Sequence, residues 1–395
     1  MNIIGRSILF DLLKLFAFWL VVLTLVMMLI TIGQEAVRMN LGIGPTLKLV
    51  PFVMPTALAF AVPGTILFSA CFVYGRMSAE NEVVAIKSLG ISPLVLLSPV
   101  IALAFLLSLV AVWLNDVSYS WGHAGMQRVV IQSVEEIAYG MLRTQRSYAN
   151  PRFSIIVKEV DGRRLIRPIM NFQSNNDMPA FTLTAAEAEL QSNLEENTLS
   201  LILIDCKMDT DEGLTFDWPG RTVQDIPLAY AAAKDLGESN PAHLPLRRMD
   251  AAIEAQKLTI AELEQAVAAE TGLALMTGDF ESLEQATWQR RQASVHTARL
   301  RLYRLQTEPW RRWASGFSCL AFVMIGAPIA MLWRNADYLS TFASCFVPVL
   351  AIYYPLFNTG LTYAKQGMAP PASIWVGNIV CMLIGVFLIR RVLRH

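Results

Sequence analysis

LVPFVMPTALAFAVPGTILFSACFVYG, Leu49 to Gly75, contains no Asp, Glu, Lys or Arg. A charged side chain at the centre of a bilayer costs on the order of 2.5 kcal/mol or more, and about 20 apolar residues suffice for a helix to cross. The stretch therefore reads as a transmembrane helix. Five further runs share the property: Leu15 to Gln34, Ser88 to Asn115, Trp313 to Trp333, Tyr338 to Ala364 and Gln366 to Ile389. Six spans follow. The whole chain agrees, because 395 residues that are 54% hydrophobic and only 16% charged, with mean hydropathy +0.43, are too apolar for an ordinary soluble domain.

An even number of spans puts both termini on one side. Arg6 and Lys14 at one end and Arg390, Arg391 and Arg394 at the other make that side the cytoplasm by the positive-inside rule. The first span is expected to stay in the mature protein, since its apolar core exceeds the roughly 7–15 residues of a signal h-region and no small-x-small cleavage site follows. The segment from about Asp116 to Arg312 then lies outside. Formal net charge is zero, which gives no reason to expect nucleic acid. Cys71, Cys319, Cys345 and Cys381 fall in spans, so Cys206 is left alone outside and no intrachain disulfide framework is expected there. His123, His243, His296 and His395 are scattered without ligand spacing, and no metal site is expected.

The external segment reads in two parts. Within a domain of residues 116–245 the pattern is β from about Tyr139 to Ala229: FSIIVKEV alternates up to the turn pair Asp161-Gly162, and RRLIRPIMNF follows as the second arm of a hairpin. FTLTAAEAELQ, TLSLILIDCKM and LTFDW continue the series between polar turns, which suggests a small antiparallel sandwich. Such a sheet either solvates one face or holds an apolar ligand between its layers. Over residues 246–311 apolar residues recur at helical spacing, from Met249, Ile253, Leu258, Leu263 and Val267 to Leu283, Ala286, Val295, Leu302 and Leu305, with a break at TGLALMTGD. Dense mixed charge makes this a helical hairpin whose second arm runs into span four, serving as a solvated spacer or as a partner-binding arm.

Between spans two and three stands YGRMSAENEVVAIKSLGISP, Tyr74 to Pro93. It reads as a short amphipathic helix over residues 78–90, with Ser78 as N-cap, Glu80 and Glu82 in the first turn, Lys87 in the last, and Gly90 and Pro93 ending it. By the topology above this helix faces the cytoplasm. No G-x-x-x-x-G-K-[ST], G-x-S-x-G or H-E-x-x-H occurs in the chain, and span centres carry no ionisable side chain for a proton relay. A transporter built this way draws its energy from another subunit, and a capped cytoplasmic helix is something rigid for that subunit to push on.

The stretch GRMSAENEVVAIKSLGISP resembles the corresponding segment of the LptF/LptG permease family, where a small-polar-Glu-apolar-apolar pattern precedes an Ala-x-x-x-x-Gly-apolar-Ser ending. Pro55 and Pro63 in span two, then Gly75 and Glu82, stand at the family's spacing. Glu308, Arg312 and Pro328 look like its E-x-x-x-R motif and following proline. YAKQGMAPPASIWVGNIVCMLIGVFLIRR looks like its last loop and span, with Trp375 and Asn378 in place. The resemblance covers all six spans. It implies an α-helical membrane protein with a periplasmic β-jellyroll inserted between spans three and four, in the bacterial inner membrane. It further implies one permease half of the lipopolysaccharide export ABC transporter, paired with a second permease subunit, driven by a cytoplasmic ABC ATPase dimer, and handing lipid to a periplasmic jellyroll bridge protein. ATP and Mg belong to that ATPase, and no cofactor is expected in this chain. GQEAVRMN resembles the F-type subunit through Gln34 and Arg38, although Glu35 stands where a basic residue is usual. The hairpin is longer than the family implies.

On that resemblance Glu82 is the coupling residue, accepting a charge-assisted bond from an arginine of the ATPase. Val83, Ile86 and Leu89 either seat the helix in that partner or pack on the spans. Gln34, Arg38 and Arg312 are substrate candidates, since a planar guanidinium suits lipid phosphates. Snorkelling or pairing with Glu35 competes for Arg38, and pairing with Glu308 competes for Arg312. Leu25, Met28 and Ile32 of span one and Phe342, Phe346 and Leu350 of span five would line an acyl-chain cavity, or else face lipid. Two other classes remain: a membrane-anchored envelope scaffold, and an intramembrane enzyme in which Asn115 and Asp116 are the polar candidates.

Overall fold

The computed structural model describes residues 3–39, 43–132, 139–143, 146–149, 153–172, 181–193, 198–210, 215–227, 240–278, 286–332 and 338–394. The chain divides into two compact units, Met1–Met27 with Met54–Ser120 and Asn240–His395, and Met28–Val53 with Trp121–Ser239.

Among the described residues, six helices are long and apolar enough to cross a membrane. Spans one and two are α1 (Ile3–Met39) and α2 (Ile43–Ala79); after a short α3 (Glu82–Ser88), span three is α4 (Leu94–Val117), with α5 (His123–Gln132) beyond it. The helical hairpin is α6 (Leu246–Thr277) and α7 (Ala286–Gly316), and α7 continues through α8 (Ser318–Leu332) as span four. Span five is α9 (Tyr338–Pro348), a π-helical turn Val349–Tyr353 and α10 (Tyr354–Lys365); span six is α11 (Val376–Arg394) behind a 3-10 turn. Helices overrun the charge-free stretches at their ends, and some of the charges they take in are paired. Asp11 of span one, for example, accepts from Arg76 of span two at 3.2 Å.

Span four is the axis of the first unit. Of its apolar stretch 67% is buried, against 11% for span one. Lipid tails are as apolar as leucine, so helices in a bilayer associate by close packing, which small residues permit. A Cβ on Gly385 of span six would stand 2.6 Å from the carbonyl oxygen of Met324, and one on Gly316 would stand 2.8 Å from the backbone nitrogen of Val112 in span three. Hydroxyls of Thr65, Ser69 and Ser108 bond carbonyls four residues back in their own helices, so burial leaves them satisfied.

The hairpin is as expected in kind and displaced at its break. TGLALMTGD does not interrupt α6 at Thr271; the helix runs on to Thr277 and stops at Gly278, whose φ of 72° only glycine adopts without strain. Leu, Ala and Met are good helix formers, and the glycine at 272 alone does not outweigh them. Leu283 lies outside the described residues. Glu264–Arg299 (2.8 Å) and Glu270–Arg291 (2.6 Å) tie the two arms.

In the second unit the strands form one curled antiparallel sheet instead of a two-layer sandwich. The hairpin at Gly162 is present, its two arms each divided: β2 (Phe153–Ile156) and β3 (Glu159–Asp161) face β5 (Ile169–Phe172) and β4 (Arg164–Ile166) in one continuous register, Ile156 opposite Ile169 and Glu159 opposite Ile166. β1 (Ser147–Ala149) adds to β2. The long β6 (Phe181–Asn193) pairs with β5 and then β4 along one edge and with β7 (Thr198–Thr210) along the other, and β8 (Thr215–Pro227) closes the order on β7. A bulge between Ile204 and Cys206 bends β7, with Asp205 at φ 51° and its carboxylate accepting from the Gly220 amide. The core lies on one face, including Ile155, Leu165, Met170, Leu190, Leu201 and Cys206. Burial pushes the Cys206 thiol above its usual pKa, so it packs as a small hydrophobe.

Gly385→Val should lower stability by about 1–3 kcal/mol, because the neighbour it meets is backbone that has no rotamer to yield. Thermal unfolding in detergent checks this; an unchanged midpoint would contradict the close crossing of spans four and six.

Candidate functional site

The segment joining spans two and three ends in α3, a helix of two turns. Ser78 does not cap it: that hydroxyl is still inside α2, buried, and donates to the Met331 carbonyl oxygen at 3.0 Å. The residue before α3 is Asn81, in the left-handed conformation at φ 57° with no side-chain cap bond. The helix thus spans Glu82–Ser88, shorter than the expected 78–90, and Gly90 (φ 75°) ends it as the sequence implies.

Its side chains divide between mount and free surface. Val83, 5% exposed, is part of the apolar core of the spans, and Ile86 packs against the same core. Lys87 donates to the carbonyl oxygen of Val392 in the last turn of span six at 2.8 Å, where a cation also meets the negative end of the helix dipole. Glu82 and Leu89 are exposed, Leu89 at 75%. Of the four residues expected to meet a partner, Val83 is therefore given to the span core and is unavailable. Val84, which the sequence reading passed over, is exposed in its place. Its neighbour's register decides which valine faces in, and that register depends on where α3 begins.

The lipid-facing candidates fall into separate groups. Phe342 and Phe346 stack at 5.2 Å between ring centroids, and Phe342 meets Phe68 of span two edge-on at 5.0 Å, which in turn meets Trp19 of span one at 4.6 Å. Leu25 and Leu350 are exposed. Met28 and Ile32 belong to the other unit, where they pack with Leu49, Val53 and Val129. Gln34 is exposed, while the side chain of Arg38 lies outside the described residues.

Arg312 sits elsewhere than a cavity mouth. Its guanidinium is fully buried and donates to Asp116 Oδ1 of span three at 2.5 Å and to the carbonyl oxygens of Ala242 and Leu244 at 3.0 and 2.6 Å. Asp116 also accepts from the Leu246 amide at 3.1 Å. Glu308 is not the partner of Arg312; it is taken by Arg311 at 2.6 Å, whose guanidinium also lies over the Tyr119 ring at 4.5 Å. These bonds engage both terminal nitrogens, and the Nε–H is buried with no partner among the described residues. Asp116, one of the two polar candidates for intramembrane chemistry, is likewise committed, and Asn115 bonds the Ala111 carbonyl of its own helix.

In the sheet, directly opposed residues share a face. Ile155, Met170, Leu183, Met208 and Phe216 are opposed in turn across five strands, and Cys206 is opposed by Trp218. Ile155 and Met170 are buried, whereas Phe216 and Trp218 are 48% and 45% exposed. The apolar inner face runs out uncovered at β8.

The family model described as lipopolysaccharide export system permease LptF/LptG matches residues 6–391. The chain belongs to this family. No curated protein gives a significant match. Membership makes the chain a permease component of lipopolysaccharide export and not itself an enzyme, and it applies to F- and G-type subunits jointly. In this permease Glu308 and Arg312 serve two networks: the arginine joins spans three and four to the root of the hairpin, and the glutamate holds Arg311.

Arg312→Met in this permease should cost about 3 kcal/mol, since Asp116 loses its cation and two carbonyls lose a donor, and adding Asp116→Leu should recover part of the loss. Melting of the single and double variants in detergent tests the pair; additive losses would argue against it.

Proposed function

We propose that this chain is the F-type half of a permease pair in the bacterial inner membrane. It extracts lipopolysaccharide from the outer leaflet and passes it along the inserted sheet to a periplasmic jellyroll bridge. A separate cytoplasmic ATPase dimer supplies ATP and Mg and drives the cycle through α3. Gln34 and Arg38 support the F-type reading, and the terminal basic residues support cytoplasmic termini with a periplasmic sheet.

The mount of α3 is the observation that carries the proposal. A helix of seven residues is unstable alone, yet this one is fixed from below by Val83 and Ile86 and at its end by the Lys87 bond to span six. Its free side presents one carboxylate, Glu82, beside Val84 and Leu89. That combination suits a basic-rimmed apolar groove on a motor subunit, with Glu82 accepting a bidentate bond from arginine. Force applied there reaches span three through Gly90 and Pro93, and span six through Lys87.

Two further observations support the lipid path. Leu25 and Leu350 leave apolar faces of spans one and five uncovered, as a cavity shared with a second permease subunit requires. The open inner face at Phe216 and Trp218 offers acyl chains an apolar groove.

Glu82→Lys should abolish ATPase co-purification or cut coupled export by more than tenfold, with insertion and yield unchanged. Co-purification in detergent and lipopolysaccharide release from proteoliposomes are the measurements, and normal export by the variant would remove α3 from the mechanism.

A further inference from the structure

The first arm of the hairpin carries two apolar faces, and the second arm covers only one of them. On the covered side of α6, Ile260 and Ala274 are buried, the Gln256 amide donates to the Ala298 carbonyl of α7 at 3.2 Å, and the Trp288 indole donates to the Thr271 hydroxyl at 3.4 Å. Along another side, at steps of three and four residues, follow Leu258, Glu262, Ala266, Ala269, Leu273 and Met276. All six are exposed, Met276 at 88%. At 1.5 Å per residue this face is about 28 Å long. A helix that served only as a solvated spacer would carry polar residues there, and a continuous apolar face on a surface marks a site of association.

Charge decides what kind of chain fits the face. From Leu258 to Thr277 α6 contains Glu262, Glu264 and Glu270 and no Lys or Arg. Arg299 and Arg291 of α7 neutralise Glu264 and Glu270, whereas Glu262, in the middle of the exposed face, has no ion pair or hydrogen bond among the described residues. A second copy of this chain is a poor occupant. Because α7 continues into span four, α6 stands at one height above the bilayer in every copy. Two copies related by an axis along the membrane normal would bring Glu262 level with Glu262, and opposed like charges weigh against that pairing. A helix from a different polypeptide with a cation at this level meets no such conflict.

We propose that the outer face of α6 docks a basic amphipathic helix of another protein. Leu258 at one end and Leu273 and Met276 at the other pack against its apolar side chains, Ala266 and Ala269 let the two backbones approach, and Glu262 pairs with one Lys or Arg. The arm is ordered before the partner arrives, since α7 braces it along its length and Arg312 fixes its root. Little ordering cost is left to binding. The proposal rests on the membrane placement of the spans and not on the export reading.

The test uses the full-length protein in phosphatidylcholine nanodiscs and a fluorescent helical peptide of about 20 residues, long enough to hold helix, with a Leu/Ala face and one central Lys. Anisotropy reads binding, and empty discs set the background. The Lys peptide should bind about tenfold more tightly than the same peptide with Glu at that position, and Glu262→Lys should invert the order. Leu258→Ser with Leu273→Ser should weaken the Lys peptide about tenfold, with melting temperature and oligomeric state unchanged. Equal binding of the two peptides, a preference that survives Glu262→Lys, or full affinity in the serine variant would each overturn the assignment. So would a fall in oligomeric state of the serine variant by light scattering, which would give the face to a second copy. None of these outcomes bears on the loss of export expected for Glu82→Lys, so the two readings fail separately.

Discussion

A guanidinium buried at the edge of a bilayer must have its charge and its N–H groups answered by the protein, because little water is there to do so. Arg312 meets most of that demand with one carboxylate from span three and two carbonyls from the 242–244 turn, its Nε–H alone lacking a partner among the described residues. The consequence is architectural. The turn that starts α6, the end of span three and the start of span four cannot separate without stranding a charge. The same α7 helix is both the second arm of the hairpin and the beginning of span four, so the hairpin is rooted in the packed core by covalent continuity on one arm and by Arg312 on the other. A flexible tether would need neither.

Rigidity at the other end of the spans comes from smaller contacts. α3 has no side-chain cap and only two turns, and its order is borrowed from Val83 in the core, from Lys87 on the last turn of span six and from the Ser78 bond that fixes the end of α2 to span four. The two hydrogen bonds reach spans four and six, and α3 follows directly on span two. A push on the exposed face of such a helix is shared among spans two, four and six at once, whereas a free loop would absorb it as local bending.

Much of this was legible in the sequence, and the errors have one physical origin. Charge-free runs located six spans because desolvation of charge is a strong, local rule that needs no knowledge of neighbours. The β hairpin at Gly162 and the end of α3 at Gly90 were readable because positive φ is a property of the residue itself. What the sequence missed or left open were assignments that depend on a distant partner. Arg312 has Glu308 one turn away in sequence, but it pairs with Asp116, far back in the chain, because the crossing of spans three and four brings that carboxylate to it. Ser78 looks like a cap until α2 is seen to continue through it to span four. Val83 and Val84 are indistinguishable by hydropathy, and only the mount tells which one is inside. The sandwich became a single curled sheet because β6 is long enough to serve β4 and β5 in succession, a pairing no strand-by-strand pattern encodes.

The distribution of packing within the first unit has its own logic. Spans two, three and four are the most buried and cross at glycines, whereas spans one, five and six keep most of their apolar stretches uncovered. Span five is also the one with a π-helical turn in its middle, flanked by Pro348 and Pro355, neither of which can donate a backbone hydrogen bond. A wide turn between two prolines lowers the cost of bending there, and the stacked Phe342 and Phe346 lie on the half that precedes it. Motion follows the weakest packing. In this permease spans two to four form a closely packed frame, and span one together with the jointed span five forms its loosely packed side.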